Sequence, residues 1–158
     1  MARRVFFSFH YADIWRVNVI RNSHIVDGTA VAGFQDGSLW EEAKKKGEIA
    51  IKRMIDQAME GTTVTCVLIG QQTWAREYVE YEIQKSVERR NGLLGIRIHN
   101  IKNQSQHTDF WPGTIPLALT SAGAPVYDWD KEKFGLWIED AYNRAQQKAK
   151  AAKPSWMR

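Results

Sequence analysis

Thr62-Thr63-Val64-Thr65-Cys66-Val67-Leu68-Ile69 is the stretch on which the fold turns. It is β-branched at the start and apolar almost throughout its second half, and Gly70 breaks it. Such a run has no polar face to turn to water, as expected of a central parallel strand covered on both sides. The segments beside it read as helices. In Glu48 to Glu60, residues Ile51, Met54, Ile55, Ala58 and Met59 share one face, and Gly61 is placed to stop the helix. After it, Thr73 is placed to cap a helix running to about Arg90, with Val79, Ile83 and Val87 as its inner face. A strand between two helices is the unit of a parallel sheet.

The pattern extends outward in both directions. Arg3 to Phe9 (RRVFFSF) reads as a buried first strand, and Tyr11 to Ser23 as a helix with Ile14, Val17 and Ile20 at helical spacing. Between Ser23 and Gly47 one short strand is expected, interrupted by the turn signals Asp27-Gly28 and Asp36-Gly37. Asn91-Gly92 ends the helix after the central strand, and Leu93 to Ile98 (LLGIRI) is the next strand. His99 to Ala124 is polar, with scattered Pro and Gly, and reads as a long loop. Val126 to Trp129 is a last short strand. Asp130 caps a final helix with Phe134, Trp137, Ile138, Ala141, Tyr142 and Ala145 on its buried side. The basic tail from Gln146 is expected to fray. Strands alternate with helices throughout, which predicts an α/β fold: about five parallel strands with helices on both faces. Ligands in such folds bind at the carboxyl ends of the strands, where strand order reverses. The loops after Phe9, Phe34, Ile69 and Ile98 are therefore the ones to watch.

Composition narrows the classes. The chain has 158 residues, long enough for one domain to bury its own core. Lys and Arg number 22 against 18 Asp and Glu, a net charge of +4 that helps attract a phosphate-bearing ligand but does not argue for nucleic acid. The single cysteine, Cys66, permits no internal disulfide and fits a reducing compartment. The start does not read as a signal peptide and no run approaches a membrane span, so the cytoplasm is the expected location and no membrane partner is expected. No dinucleotide fingerprint, P-loop, zinc-type cysteine pair or nucleophile elbow occurs. His10, His24, His99 and His107 stand isolated, so no metal ligands are assigned.

Three clusters carry polar residues to the expected site edge. Ser8-Phe9-His10-Tyr11-Ala12-Asp13 reads as a strand end with a helix cap, or as a turn that meets a phosphate or ribose. Asp36-Gly37-Ser38-Leu39-Trp40 reads as a turn with a packing tryptophan, or as a mobile loop whose aromatic closes over a planar ring. Trp74 to Ile83 opens the helix after the central strand, with Glu77 and Glu80 expected to face water. Glu82 lies at the edge of the buried stripe. A solvated glutamate is the default there, yet a carboxylate on that rim suits stabilisation of an oxocarbenium-like centre.

These clusters resemble the TIR-domain family, and within it the bacterial TIR-like proteins of the Thoeris anti-phage system. Val5-Phe6-Phe7-Ser8-Phe9-His10-Tyr11-Ala12-Asp13 looks like the family's first motif. Gly47 through Ile69 looks like its second helix and third strand. Tyr78-Val79-Glu80-Tyr81-Glu82-Ile83 looks like its Trp-x-x-x-Glu-[Leu/Ile] motif, with Tyr78 in place of Trp. Ser38-Leu39-Trp40-Glu41 adds to the likeness, which covers roughly residues 3 to 100. The resemblance implies a flavodoxin-like three-layer sandwich, with a TIR-like domain over residues 1–145 and a tail over 146–158. It implies cleavage of the nicotinamide–ribose bond of NAD, as a glycohydrolase or an ADP-ribosyl cyclase, with NAD as substrate and no separate cofactor. Glu82 falls on the family's catalytic glutamate. Ser8, Phe9 and His10 would line the ribose–phosphate side, with Asp36, Ser38, Trp40 and Tyr78 as further substrate contacts. It also implies a homo-oligomer and a downstream effector responding to a nucleotide product. Two other readings stay open: a non-catalytic TIR interaction module, and a nucleoside N-glycosyl-transferring enzyme of similar build.

Overall fold

The computed structural model describes residues 3–23, 27–31, 37–76 and 78–157, with side chains at 27–31 and 37–41 outside the description. Five parallel strands form one sheet: β1 (Arg4–Ser8), β2 (Asp27–Val31), β3 (Val64–Ile69), β4 (Gly92–Arg97) and β5 (Val126–Asp128), in the order β2-β1-β3-β4-β5. This is the flavodoxin-like order. The chain steps from β1 outward to β2, then returns past β1 to β3 and continues the other way. The reversal places a crevice between the carboxyl ends of β1 and β3.

All six residues of β3 are buried, which is why that stretch carries no alternation. Its side chains still divide between two faces, as the pleat requires. Val67 and Ile69 pack with Val79, Ile83 and Leu119 on one side. Cys66 and Leu68 join Phe6, Phe7, Leu94, Ile96, Phe134 and Ile138 in the main core. Truncating one of those buried phenylalanines to alanine would cost about 3–5 kcal/mol. Burial pushes the Cys66 thiol pKa up, so it stays a protonated packing group.

The helices are α1 (Ile14–Arg21), α2 (Gly37–Lys46), α3 (Glu48–Met59), α4 (Val79–Glu88), α5 (Leu117–Ser121) and α6 (Lys131–Ala151). Several expectations hold: Asp130 caps α6 by accepting from the Glu132 and Lys133 amides, and Gly61 follows α3 with φ +77°. Others need correcting. Asp27-Gly28 is not a turn but the start of β2, while residues 24–26 and 32–36 lie outside the described residues. Residues 37–46, read as a turn and a connection, form α2. Thr73 does not cap α4. It opens a 3-10 turn over Thr73–Ala75, where its hydroxyl accepts from the Gly70 amide and donates to the Leu68 carbonyl. Val87 is half exposed rather than inner-facing, because Ser86 takes the buried position. Beyond the helix Arg90 turns to φ +62°, with the Arg90 and Asn91 amides bonded to the carbonyls of Val87 and Ser86, a Schellman closure. Gly92 belongs to β4, where a Cβ would lie 2.5 Å from the Ala141 carbonyl carbon of α6. Nor does the chain fray from Gln146, since α6 runs on to Ala151.

The long polar stretch after β4 contains α5 and is pinned to the body. Arg16 of α1, 5% exposed, donates to the Ile101 carbonyl at 2.6 Å, to Asp109 Oδ2 at 2.6 Å and to the His107 carbonyl at 3.3 Å. Gly113 then folds against the end of β3, where a Cβ would meet the Gly70 carbonyl oxygen at 2.2 Å. The stretch thus forms one wall of the carboxyl edge. Among the described residues no helix is long and apolar enough to cross a membrane.

Candidate functional site

Two backbone turns bring the site together. Ser8 is the last residue of β1 and is wholly buried. Beyond Ile69, the last residue of β3, the Thr73 hydroxyl cross-links Gly70 to Leu68 and sets the path toward Arg76 and Tyr78. Tyr78 takes the N-cap position of α4 and Glu82 lies in its first turn, facing Ser8.

Glu82 is 0% exposed. The sequence default of a solvated glutamate is overturned because β1 and the turn before α4 enclose it. Its Oε1 accepts from the Ser8 hydroxyl at 2.8 Å and from Arg76 Nη1 in a short charge-assisted bond. Its Oε2 is buried and has no hydrogen-bond partner among the described residues. Burial drives the Glu82 pKa up, while Arg76 and the Ser8 hydroxyl pull it back. The result is a carboxylate in a low-dielectric setting, held on one oxygen and unsatisfied on the other.

The neighbours of this pair are largely positioned by local bonds. His10 Nδ1 accepts from the Ala12 amide at 2.9 Å and caps the turn over Tyr11–Asp13. Burial and the charge of Arg76 lower the His10 pKa, which favours a neutral ring. Asp13 packs onto Gly70, where a Cβ would sit 2.2 Å from its Oδ2. Burial raises its pKa to about 6, with Arg16 opposing and Asp109 adding to the rise.

The other anticipated residues divide. Phe9 is fully buried in the main core. Tyr78, 7% exposed, lines a crevice of about 580 Å³ beside α4, together with Tyr81, Lys44, Lys52 and Glu48. Ser38 and Trp40 sit in the first turn of α2 and not on a mobile loop. Their side chains, and Asp36 altogether, lie outside the described residues. Glu77 lies outside them too. Glu80 does not simply face water: both its carboxylate oxygens accept from the Ala118 amide at the start of α5. The crevice beside α4 does not reach Glu82. A second cavity of about 390 Å³ lies at the amino end of β4, among Arg90, Arg144 and Lys148, away from this chemistry.

Sequence reasoning missed Arg76 as a site residue. Its one local signal is a cation six positions before the motif glutamate, and spacing alone does not show that the intervening turn folds it back.

The family model for the Thoeris protein ThsB, TIR-like domain, matches residues 6–103. A Bacillus cereus (strain MSX-D12) protein named as a candidate cyclic ADP-D-ribose synthase, ThsB1, is 51% identical over 107 residues, covering 66% of this chain and 56% of that relative. The match therefore spans little more than half of the relative's length. The residues matched by the family model hold Ser8, Arg76 and Glu82 together with the end of β1 and all of β2, β3 and β4. By sequence and by fold, the chain belongs to the Thoeris ThsB family of TIR-like domains.

Proposed function

We propose that this chain cleaves the nicotinamide–ribose bond of NAD, with Glu82 as the catalytic carboxylate, and joins the ends of the resulting ADP-ribosyl group into a cyclic signalling nucleotide in anti-phage defence. The observation that carries the reading is the buried carboxylate of Glu82 at the β1/β3 reversal, with Oε2 unpartnered. The name of the 51% identical relative supports the product class.

The chemistry suits the residues. The bond between ribose C1′ and the pyridinium nitrogen breaks with its electron pair moving to nicotinamide, which leaves neutral. No proton need be supplied to the leaving group. What the site must supply is negative charge near a ribose that is becoming cationic. A carboxylate withdrawn from water does this more strongly than an exposed one. Glu82 Oε2 accepts from a ribose hydroxyl, and Ser8 holds Oε1 in place. An intramolecular nucleophile of the ADP-ribosyl moiety then takes C1′ and closes the ring; water at that position gives linear ADP-ribose. Self-association, and an effector that responds to the product, belong to the same reading.

The test is incubation of concentrated wild-type and Glu82→Gln protein with NAD, with products separated by chromatography and mass. Nicotinamide released by wild type alone is the expected result, and the mass of the second product separates cyclisation from hydrolysis. A wild type that leaves NAD intact, even with extract from infected cells added, replaces this reading with the non-catalytic interaction module.

A further inference from the structure

We propose that Arg76 is a latch on the catalytic carboxylate: it holds Glu82 in the free protein and releases it by moving to the diphosphate bridge of a bound dinucleotide. The inference rests on the glycosidic reading of the site and deepens it, by naming what opens the site and which substrates can do so.

Three observations carry it. First, the carboxylate is closed as it stands. Glu82 has no exposed surface, its Oε1 is taken by Ser8 and Arg76, and the Arg76 side chain is itself only 7% exposed. No ribose can meet Glu82 until a covering group moves. Second, Arg76 is placed to be that group. It follows the 3-10 turn and precedes α4, with extended backbone at φ −71° and ψ 128°, so its side chain can swing without unwinding a helix. Third, Arg76 Nη1 bonds the same Glu82 oxygen that Ser8, the last residue of β1, holds. Arg76, which follows β3, thus meets at one carboxylate oxygen the last residue of β1, at the edge where a nucleotide sits in a sheet of this order.

The exchange is electrostatically balanced. A guanidinium pairs with phosphate oxygens through the same forked geometry it uses for a carboxylate. Its charge is compensated in both states, and uncovering Glu82 does not strand a buried cation. Opening then requires a ligand that carries the diphosphate. Nicotinamide riboside contains the scissile bond but no phosphate, so it cannot draw Arg76 away and is a poor substrate beside NAD.

The experiment is calorimetric binding of ADP-ribose to wild type, Glu82→Gln and the double variant Arg76→Ala/Glu82→Gln. The double variant removes both buried charges together, which keeps the interior balanced. Glutamine holds the guanidinium less tightly, so Glu82→Gln should bind ADP-ribose about tenfold more tightly than wild type, and the double variant should lose that gain and fall about tenfold below wild type. If Arg76 merely neutralises Glu82, the single and double variants bind alike, and that outcome overturns the latch. Unchanged affinity in Glu82→Gln overturns it as well. A wild type that neither binds ADP-ribose nor releases nicotinamide overturns the NAD reading and the latch together.

Discussion

Helix α4 covers two buried polar clusters one turn apart, and they are built on different terms. Toward its carboxyl end, Ser86 Oγ bonds the Glu82 carbonyl at 2.7 Å and Thr65 Oγ1 of β3 at 2.7 Å, while Asn91 Nδ2 donates to both Thr62 and Thr65. Those hydroxyls and that amide nitrogen are all partnered. Toward the amino end, Ser8, Glu82 and Arg76 form a charged cluster in which one carboxylate oxygen has no partner among the described residues. The neutral cluster costs little to bury and locks the register of α4 on β3. The charged one is expensive to bury, and apolar residues of similar shape would fold at least as well there. Folding alone gives no reason to keep it, whereas a reaction that develops positive charge does. On the proposed function, the contrast separates structure from chemistry under a single helix.

The largest effect should come from the charged cluster. Glu82→Gln is expected to lower nicotinamide release about a thousandfold while leaving the circular-dichroism spectrum unchanged. An active, folded Glu82→Gln protein would erase the functional half of the contrast. The neutral cluster should behave in the opposite way. Asn91→Ala leaves two buried threonine hydroxyls short of a donor and should cost about 2 kcal/mol in urea unfolding, with activity per folded molecule within about twofold of wild type. Loss of activity without loss of stability would show that this cluster, too, serves the chemistry.

Smaller effects sharpen the comparison. Ser8→Ala removes a donor that favours the ionised form of Glu82, so nicotinamide release should fall about tenfold and its acid limb should move to higher pH. The smallest effect concerns stability. The folded-state pKa of Glu82 lies above the ordinary carboxyl value of 4.5. The stability linked to its proton is complete below that ordinary value and is lost as pH rises through the raised one. The Gln variant carries no such dependence. Its melting temperature should therefore match wild type near pH 4 and exceed it as pH rises above the ordinary carboxyl range. Asp13, whose pKa is raised to about 6, adds the same sign of pH dependence to both proteins, and the difference between them isolates Glu82.

How much of this was legible follows from where each signal resides. The buried strand β3 announces itself as an unbroken apolar run, and the helices α3 and α6 because their apolar residues recur at a fixed period within one short stretch. Helix α2 does not: in its described second half Ala43 is the buried residue and Glu42 to Lys46 otherwise face water, so no inner stripe marks it. The polar stretch after β4 reads as a loop because its order comes from Arg16, whose partners lie 85 to 93 positions away. Trp40 reads as a loop residue because Asp36-Gly37 resembles a turn, although Gly37 opens a helix.

The sequence by itself determined the alternation of strands and helices and the carboxyl edge as the place for a site, since both follow from local periodicity; Glu82 became the carboxylate to watch through the motif that resembles the TIR family's. Only the tertiary structure decided that Glu82 is buried, that Ser8 from 74 positions away shares its oxygen, and that Arg76 covers it. The physical reason is that burial and charge pairing belong to neighbours in space. A residue's own period can point it toward the interior, but only the elements folded around it settle which charges it meets there.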